Sequence, residues 1–206
     1  MPSARGLYRY WKDGELQPID EPWQYDASAN TGLLTGQRIV GGETLLDVEA
    51  GYRDRHCIRL ALTWTQDGQA QRWRYLRGSH TLLWSCDGGP ERVLPLAANC
   101  RLFPLLRAAT AGVLKDAEDE GIQLVLPSLH NPGTHGFLQP VQSSRCVRRS
   151  AEAGHLRYYG GEYGDAGADY WLGDHGLVDH YRWQAPSGLW EIKLDEAWFT
   201  DDFNGF

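Results

Sequence analysis

The stretch CIRLALTWTQDGQAQRWRYL, residues 57–76, decides the fold class. Before its central Asp67-Gly68 pair, apolar side chains stand at every second position: Ile58, Leu60, Leu62 and Trp64. Such alternation is typical of a strand with one buried face. An Asp-Gly pair readily adopts the positive backbone angles that a tight hairpin turn requires. The stretch therefore predicts two antiparallel strands joined at residues 67–68.

Turn signals of the same kind recur along the chain, among them Asp13-Gly14, Gly41-Gly42 and Gly160-Gly161. The runs between them have about five to ten residues, which is the length of strands. The segment LWEIKLDEAW, residues 189–198, alternates as regularly as the first hairpin. We predict a single domain over residues 1–206 that is mainly β, a curved antiparallel sheet forming an open barrel or β-roll.

One segment, CRLFPLLRAATAGVLKDAEDEG at residues 100–121, has helical periodicity instead. Five apolar residues fall near one face of a helix: Leu102, Leu106, Ala109, Val113 and Leu114. Pro104 is tolerated in a first helical turn. We expect one or two short helices, one of them around residues 101–116, or a short helix with a broken turn. The segment would cover one mouth of the barrel.

The strands also repeat a pattern in which arginine stands between aromatic or large apolar residues. It occurs as Tyr8-Arg9-Tyr10, Trp73-Arg74-Tyr75, Leu156-Arg157-Tyr158 and Tyr181-Arg182-Trp183. Neighbouring residues of a strand point to opposite faces. The pattern therefore predicts a sheet with one aromatic face and one partly cationic face.

Charge and cysteine usage restrict the partners. The chain has 27 acidic and 20 basic side chains, a net charge of -7, and no basic run that could follow a phosphate backbone, so nucleic acid is not expected as a partner. The N-terminal residues lack the apolar stretch of a secretory signal, and no run of about 18 apolar residues occurs. We expect a cytoplasmic protein without integral membrane association, for which a homodimer is possible. The four cysteines should then be reduced structural thiols, since no CxxC pair occurs.

Two Asp-His pairs, Asp174-His175 and Asp179-His180, raise the question of a metal site. Histidines five positions apart point to opposite faces of a strand and diverge by about 140° on a helix, so they do not converge on one ion. Residues 173–176 instead have the composition of a turn. His130 and His135 have the same spacing and are expected in a surface loop. We predict no catalytic residue, no metal and no cofactor.

From about residue 30 to residue 185 the chain resembles the bacterial glycolipid-binding family. The shared features are Asn99, Pro104 and Arg107 in ANCRLFPLLRA, then VLPSL at 125–129, LRYY at 156–159, DHGLV at 174–178, and Tyr181. The family's Asn-Thr-Leu-Pro run with two arginines is reduced here to the first three of these residues. The last strands, residues 170–194, are also similar to lipoprotein-carrier-like domains. These resemblances imply a curved sheet around a helical plug and a lipid-like ligand, and they bring no catalytic residues.

The leading functional prediction is non-enzymatic binding of a lipid or other amphipathic small molecule in an aromatic-lined cavity. Large residues of the predicted apolar face would line it: Leu62, Trp64, Trp73, Tyr75, Trp84 and Trp190. Arg74 and Arg157 would hold an anionic head group. The alternatives are a structural or protein-interaction domain with a filled core, and a hydrolase or isomerase whose His80, His155 or His180 converge in a cleft.

Overall fold

A computed structural model describes residues 3–97, 99–116, 121–130, 132, 134, 136–201 and 203. The described part forms fifteen strands, here numbered in chain order: β1 (Ser3–Lys12), β2 (Glu15–Ser28), β3 (Thr31–Val40), β4 (Glu43–Arg53), β5 (His56–Gln66), β6 (Gln69–Arg77), β7 (Thr81–Cys86), β8 (Arg92–Pro95), β9 (Arg101–Leu102), β10 (Ile122–Pro127), β11 (Pro140–Arg149), β12 (His155–Tyr159), β13 (Ala168–Leu172), β14 (Val178–Ala185) and β15 (Gly188–Phe199). Two 3₁₀ turns, Arg107–Ala109 and Gly161–Tyr163, and the helix α1 (Thr110–Asp116) complete the described elements.

All fifteen strands join one curved sheet in the order β8-β7-β6-β5-β4-β3-β2-β1-β15-β14-β13-β12-β11-β10-β9. Every neighbouring pair is antiparallel except β9 with β10. The sheet curves until β9, at one end, lies against β5, where the Arg101 guanidinium contacts the His56 ring. The barrel does not close, and the prediction of a mainly β protein with a curved antiparallel sheet is confirmed.

The predicted hairpin at residues 57–76 is present as β5 and β6. Asp67 and Gly68 form its turn with φ angles of 51° and 72°. At the start of β5, Tyr52 of β4 pairs with Cys57 and Gly51 pairs with Arg59, so Ile58 has no partner in β4 and forms a bulge. This extra residue shifts the alternation of β5. As a result the buried side chain there is Cys57, and Ile58 does not share the buried face of Leu60 as the alternation suggested.

The helical part of residues 100–121 is shorter than its periodicity suggests. Residues 101–102 form β9, and the chain stays irregular until the 3₁₀ turn at Arg107, which leads into α1. Pro104 disfavours helical geometry in the residue before it. Leu105 then adopts a φ of 67°, which a helix does not allow. The observed form is the short helix with a broken turn, and it packs inside the curve of the sheet.

The alternation of arginine with aromatic residues is confirmed. Tyr8, Tyr75 and Tyr181 are buried on the inner face of the sheet, whereas Arg74 and Arg182 are exposed on the outer face. Residues 173–176 form the predicted turn between β13 and β14. In the part of the chain that is described, no helix is long and apolar enough to cross a membrane.

Candidate functional site

A cavity of about 490 Å³ lies between the 103–113 segment and strands β10 to β14; we call it the inner cavity. Its described lining residues are Arg38, Phe103, Leu105, Arg107, Thr110, Val113, Leu124, Leu126, Pro127, Leu129, His130, Val141, Gln142, Ser143, Arg145, Tyr158, Gly161, Tyr163, Tyr170, Tyr181 and Trp183. The volume lies within the range of about 300 to 1000 Å³ that is usual for small-molecule sites.

The apolar part of the inner cavity leads from its mouth inwards. Leu129 and Val141, at the ends of β10 and β11, are 37% and 41% exposed and mark the mouth. Leu126 follows on the same strand pair, and Leu124, which is 2% exposed, lies deeper. Val113 of α1 completes the apolar wall from the side of the helix. These residues give the cavity an apolar wall that extends from its mouth into the interior, beside the polar His130 and Gln142.

A buried carboxylate, Glu21 of β2, organises the inner end of the cavity. Its side chain has no exposed surface, and one of its oxygens, Oε2, accepts hydrogen bonds from the Tyr10 hydroxyl at 2.7 Å and from Nη2 of Arg38 at 2.8 Å. Its other oxygen, Oε1, accepts from the backbone N–H of Arg107 at 2.5 Å. Nη2 of Arg38 also donates to the carbonyl of Leu105 at 3.1 Å. The Glu21–Arg38 pair thus fixes the backbone at residues 105–107, including the positive φ of Leu105.

The side chain of Arg107 points into the cavity among tyrosines. Its guanidinium carbon lies 5.0 Å from the centre of the Tyr181 ring, a cation–π contact. Its Nε is buried and has no hydrogen-bond partner among the described residues. The same is true of the hydroxyl of Thr110, which also lines the cavity. Buried polar atoms of this kind normally have partners, so both point to a ligand.

The tyrosines form a compact cluster around the guanidinium. The rings of Tyr170 and Tyr181 lie 4.6 Å apart, and the Tyr170 hydroxyl donates to that of Tyr163 at 3.3 Å. Burial raises the pKa of Tyr170 well above its ordinary value. The phenol therefore stays neutral at physiological pH, and its proton is engaged by the Tyr163 hydroxyl.

Five of the residues predicted to line a ligand site do come together, but they lie outside the inner cavity. Leu62, Trp64, Trp73, Tyr75 and Trp84 are all buried on the inner face of β5 to β7. Trp73 stacks on Trp84 with ring centres 5.7 Å apart. Phe137 packs against Trp64 at 4.8 Å, and the Tyr75 hydroxyl donates to the carbonyl of Leu138 at 2.5 Å. Trp73 and Trp84, together with Phe137, line a smaller hollow of about 280 Å³.

The other three predicted residues are not part of that cluster. Trp190 lies half-buried on β15, donates to the Ser187 hydroxyl at 3.3 Å and carries Lys12 over its ring. Arg74 and Arg157 are exposed on the outer face, and Arg157 donates to the carbonyl of Ala166 at 2.8 Å. The roles of all eight residues in ligand binding stay predictions.

The histidines of the enzymatic alternative do not meet in a cleft. His155 and His180 stack on opposite sides of Trp171 on the outer face, each with ring centres 4.7 Å from it. Their partners are Asp169 and Glu191 respectively. His80 lies exposed before β7. His130 is exposed at the mouth of the inner cavity, and His135 lies outside the described residues. No group of three or more potential metal ligands occurs in the described parts of the chain.

Sequence reasoning missed Glu21, Arg38 and Thr110 as site residues. Of the residues on which the family resemblance rests, however, several line the inner cavity: Arg107, Leu126, Pro127, Leu129, Tyr158 and Tyr181. Segments distant in sequence thus meet at one place. The detectable signal for the two charged residues is their position in β2 and β3, where each occupies a place that the alternation assigns to the apolar face.

No protein-family model and no curated protein matches the sequence. In its fold the chain is similar to a beta-barrel-like protein of the domain of unknown function DUF1849 from Brucella abortus, with a TM-score of 0.55 and 8% identity over 97% of this chain and 98% of that one. A DUF1089 family protein from Pseudomonas aeruginosa is 15% identical over 84% of this chain and 87% of that one, with a TM-score of 0.46. The first similarity shows that the fold is β-barrel-like.

Proposed function

We propose that the protein binds a lipid or another amphipathic small molecule in the inner cavity and catalyses no reaction on it. One observation carries this proposal: an apolar path runs from the exposed Leu129 and Val141 to a polar, cationic inner end at Arg107. An apolar wall that leads to a polar, cationic end matches the two halves of an amphiphile. The resemblance to the glycolipid-binding family adds lipids with sugar head groups to the candidates.

Both halves of the cavity are needed for useful affinity. Burying eight methylene groups stabilises the complex by about 6 kcal/mol. A dissociation constant of 1 μM corresponds to about 8 kcal/mol, and association itself costs free energy. The apolar wall alone therefore does not reach micromolar binding. Hydrogen bonds at the polar end, from groups such as Arg107 and Thr110, have to supply the remainder.

Native mass spectrometry of the freshly purified protein, followed by organic extraction, tests the proposal. We expect a discrete bound amphiphile, or its uptake after incubation with mixed lipids. Leu126→Trp fills the cavity and should abolish that bound mass. Leu76→Trp makes the same substitution at a residue 52% exposed on β6 and should leave it unchanged. A wild-type protein that stays free of ligand after incubation, or equal binding by both variants, would contradict the proposal.

A protein-interaction domain is the second candidate, favoured by the part of the core that is filled. Around Trp64 and Tyr75 the inner face is occupied by Phe137 and Leu138 of the chain itself. A domain filled in this way would act through its surface, where Trp198 is 50% exposed. A stable dimer without bound lipid in the same mass spectra would favour this second function.

A further inference from the structure

We infer that the ligand is an amphiphile with an oxyanion head group, carboxylate or phosphate, which Arg107 binds at the inner end of the cavity. This inference rests on the proposed function and specifies its ligand. It also fixes the orientation: the head group lies inside and the apolar tail points to the mouth.

The charge balance of the inner cavity is the first support. Its described lining includes Arg38, Arg107 and Arg145 but no Asp or Glu. The nearby carboxylate, Glu21, is occupied by Arg38 and by the Tyr10 hydroxyl. Towards Arg107 it accepts a hydrogen bond from the backbone N–H and not from the guanidinium. The positive charge of the Arg107 side chain is therefore uncompensated by any described carboxylate.

Arg107 differs in this respect from Arg38. Arg38 donates from Nε and Nη2 to one carboxylate oxygen, and its side chain is only 15% exposed. The Arg107 guanidinium contacts the face of the Tyr181 ring, while its Nε is buried without a hydrogen-bond partner among the residues that the structure describes. A desolvated cation is costly unless it is paired. An anionic ligand would supply the missing pair.

The kind of head group follows from the donors that converge there. A guanidinium presents parallel N–H groups that match the two oxygens of a carboxylate or phosphate. The Thr110 hydroxyl lines the same cavity, is buried without a partner in the described part of the chain, and is a further donor. The Tyr163 hydroxyl, which accepts from Tyr170 and keeps its own proton to donate, also lines the cavity. A hydroxyl or sugar head group could accept hydrogen bonds here but would leave the charge of Arg107 uncompensated.

The orientation follows from burial. Tyr170 and Tyr181, next to Arg107, are 1% and 2% exposed, whereas Leu129 and Val141 at the apolar end are 37% and 41% exposed. The cationic end is thus the closed one. An amphiphile enters with its head group first, and the end of its tail remains near solvent. The site should consequently discriminate between head groups far more strongly than between tail lengths.

Three probes with the same twelve-carbon tail test this inference: dodecanoate, monododecyl phosphate and dodecan-1-ol. Binding to the wild-type protein is measured by isothermal titration calorimetry below the micelle concentration of each probe. We expect at least one of the anions to bind about tenfold or more tightly than the alcohol, as a hydrogen bond to a charged group requires. The tighter anion identifies the head group.

Arg107→Met should remove the preference for the anion while leaving the binding of dodecan-1-ol nearly unchanged. Arg182→Met, at an exposed arginine of the outer face, is the matched control and should preserve the preference. Arg107→Lys keeps the charge but loses the parallel N–H pair, so it should reduce the preference only in part. This second variant decides the question if Arg107→Met does not fold, which circular dichroism shows.

The outcomes separate the inference from the function on which it rests. If none of the three probes binds, the cavity does not take amphiphiles and the proposed function fails. If all three bind with equal affinity, the function stands and the oxyanion head group is wrong. An anion preference that persists undiminished in the folded Arg107 variants would place the head group elsewhere and overturn the role of Arg107.

Discussion

Replacing Glu21 by glutamine is the sharpest test of how the inner end of the cavity is built. In the native protein four donor groups converge on this carboxylate: the Tyr10 hydroxyl, Nε and Nη2 of Arg38, and the backbone N–H of Arg107. A glutamine side chain has one acceptor oxygen, and its amide group would face donors. Glu21→Gln would therefore leave donors unsatisfied and Arg38 buried without its counter-charge.

The expected loss of stability is large. Removing one partner of a buried ion pair costs about 3 to 5 kcal/mol, because the remaining charge stays desolvated. The Glu21 side chain has no exposed surface and that of Arg38 has 15%, so this range applies. For a chain of this size each kcal/mol lowers the melting temperature by about 2 to 4 °C, which predicts a decrease of roughly 6 to 20 °C. Thermal unfolding followed by circular dichroism measures it.

An exposed pair on the same sheet provides the control. Glu49 on β4 and Arg59 on β5 lie 3.4 Å apart, with side chains 53% and 58% exposed. Glu49→Gln should cost at most about 1 kcal/mol, since solvent screens such pairs. A melting temperature within about 2 °C of the wild type corresponds to a loss of stability below about 1 kcal/mol. If Glu21→Gln melts in that range, the Glu21–Arg38 pair does not fix the 105–107 backbone.

Two further predictions concern close packing and thiol chemistry. Gly6→Ala would place a Cβ 2.5 Å from the backbone carbonyl oxygen of Glu196 and should cost about 1 to 3 kcal/mol in urea unfolding. Gly136→Ala is the control: apart from its chain neighbours, no described atom lies within 4 Å of the added Cβ, so it should be nearly neutral, and equal costs would refute the contact. With iodoacetamide at pH 8, the exposed Cys146 should react before Cys86. Burial raises the pKa of Cys86 to about 11, which leaves about a thousandth of it as the reactive thiolate at that pH. Mass spectrometry that finds equal rates of modification for the two cysteines would contradict this order.

The fold was predictable from the sequence wherever alternation and turn chemistry act locally. The Asp67-Gly68 hairpin and the turn at residues 173–176 need only neighbouring residues for their formation. The two faces of the Arg-aromatic strands likewise follow from the period of a strand. The bulge at Ile58 was not predictable, because it depends on the pairing of β5 with β4.

The candidate site was predictable only in part, because it is assembled by strand order. Leu62 and Trp73 were correctly expected on a common inner face, but the 136–139 loop packs there and leaves only a small hollow. Arg107 stood out in the sequence through the family resemblance alone. A stronger signal was present in β2, where Glu21 points to the same face of the strand as Trp23 and Tyr25. A carboxylate on an apolar face has to find a buried cation, and Arg38 on the neighbouring strand is that cation.

The pairing of β1 with β15 in the middle of the sheet has a consequence for folding. On either side of that seam the strands follow one another in chain order, so apart from the parallel β9–β10 pair each half consists of hairpins that can close locally. The seam itself joins residues nearly the full chain apart, as in the hydrogen bond from the backbone N–H of Ser3 to the Thr200 hydroxyl at 2.9 Å. Contacts between such distant residues form slowly, because a long loop must be closed first. We expect two meanders to form early and the seam to close late, so that on the ribosome the first strand waits unpaired on one edge until residues 188–199 have emerged.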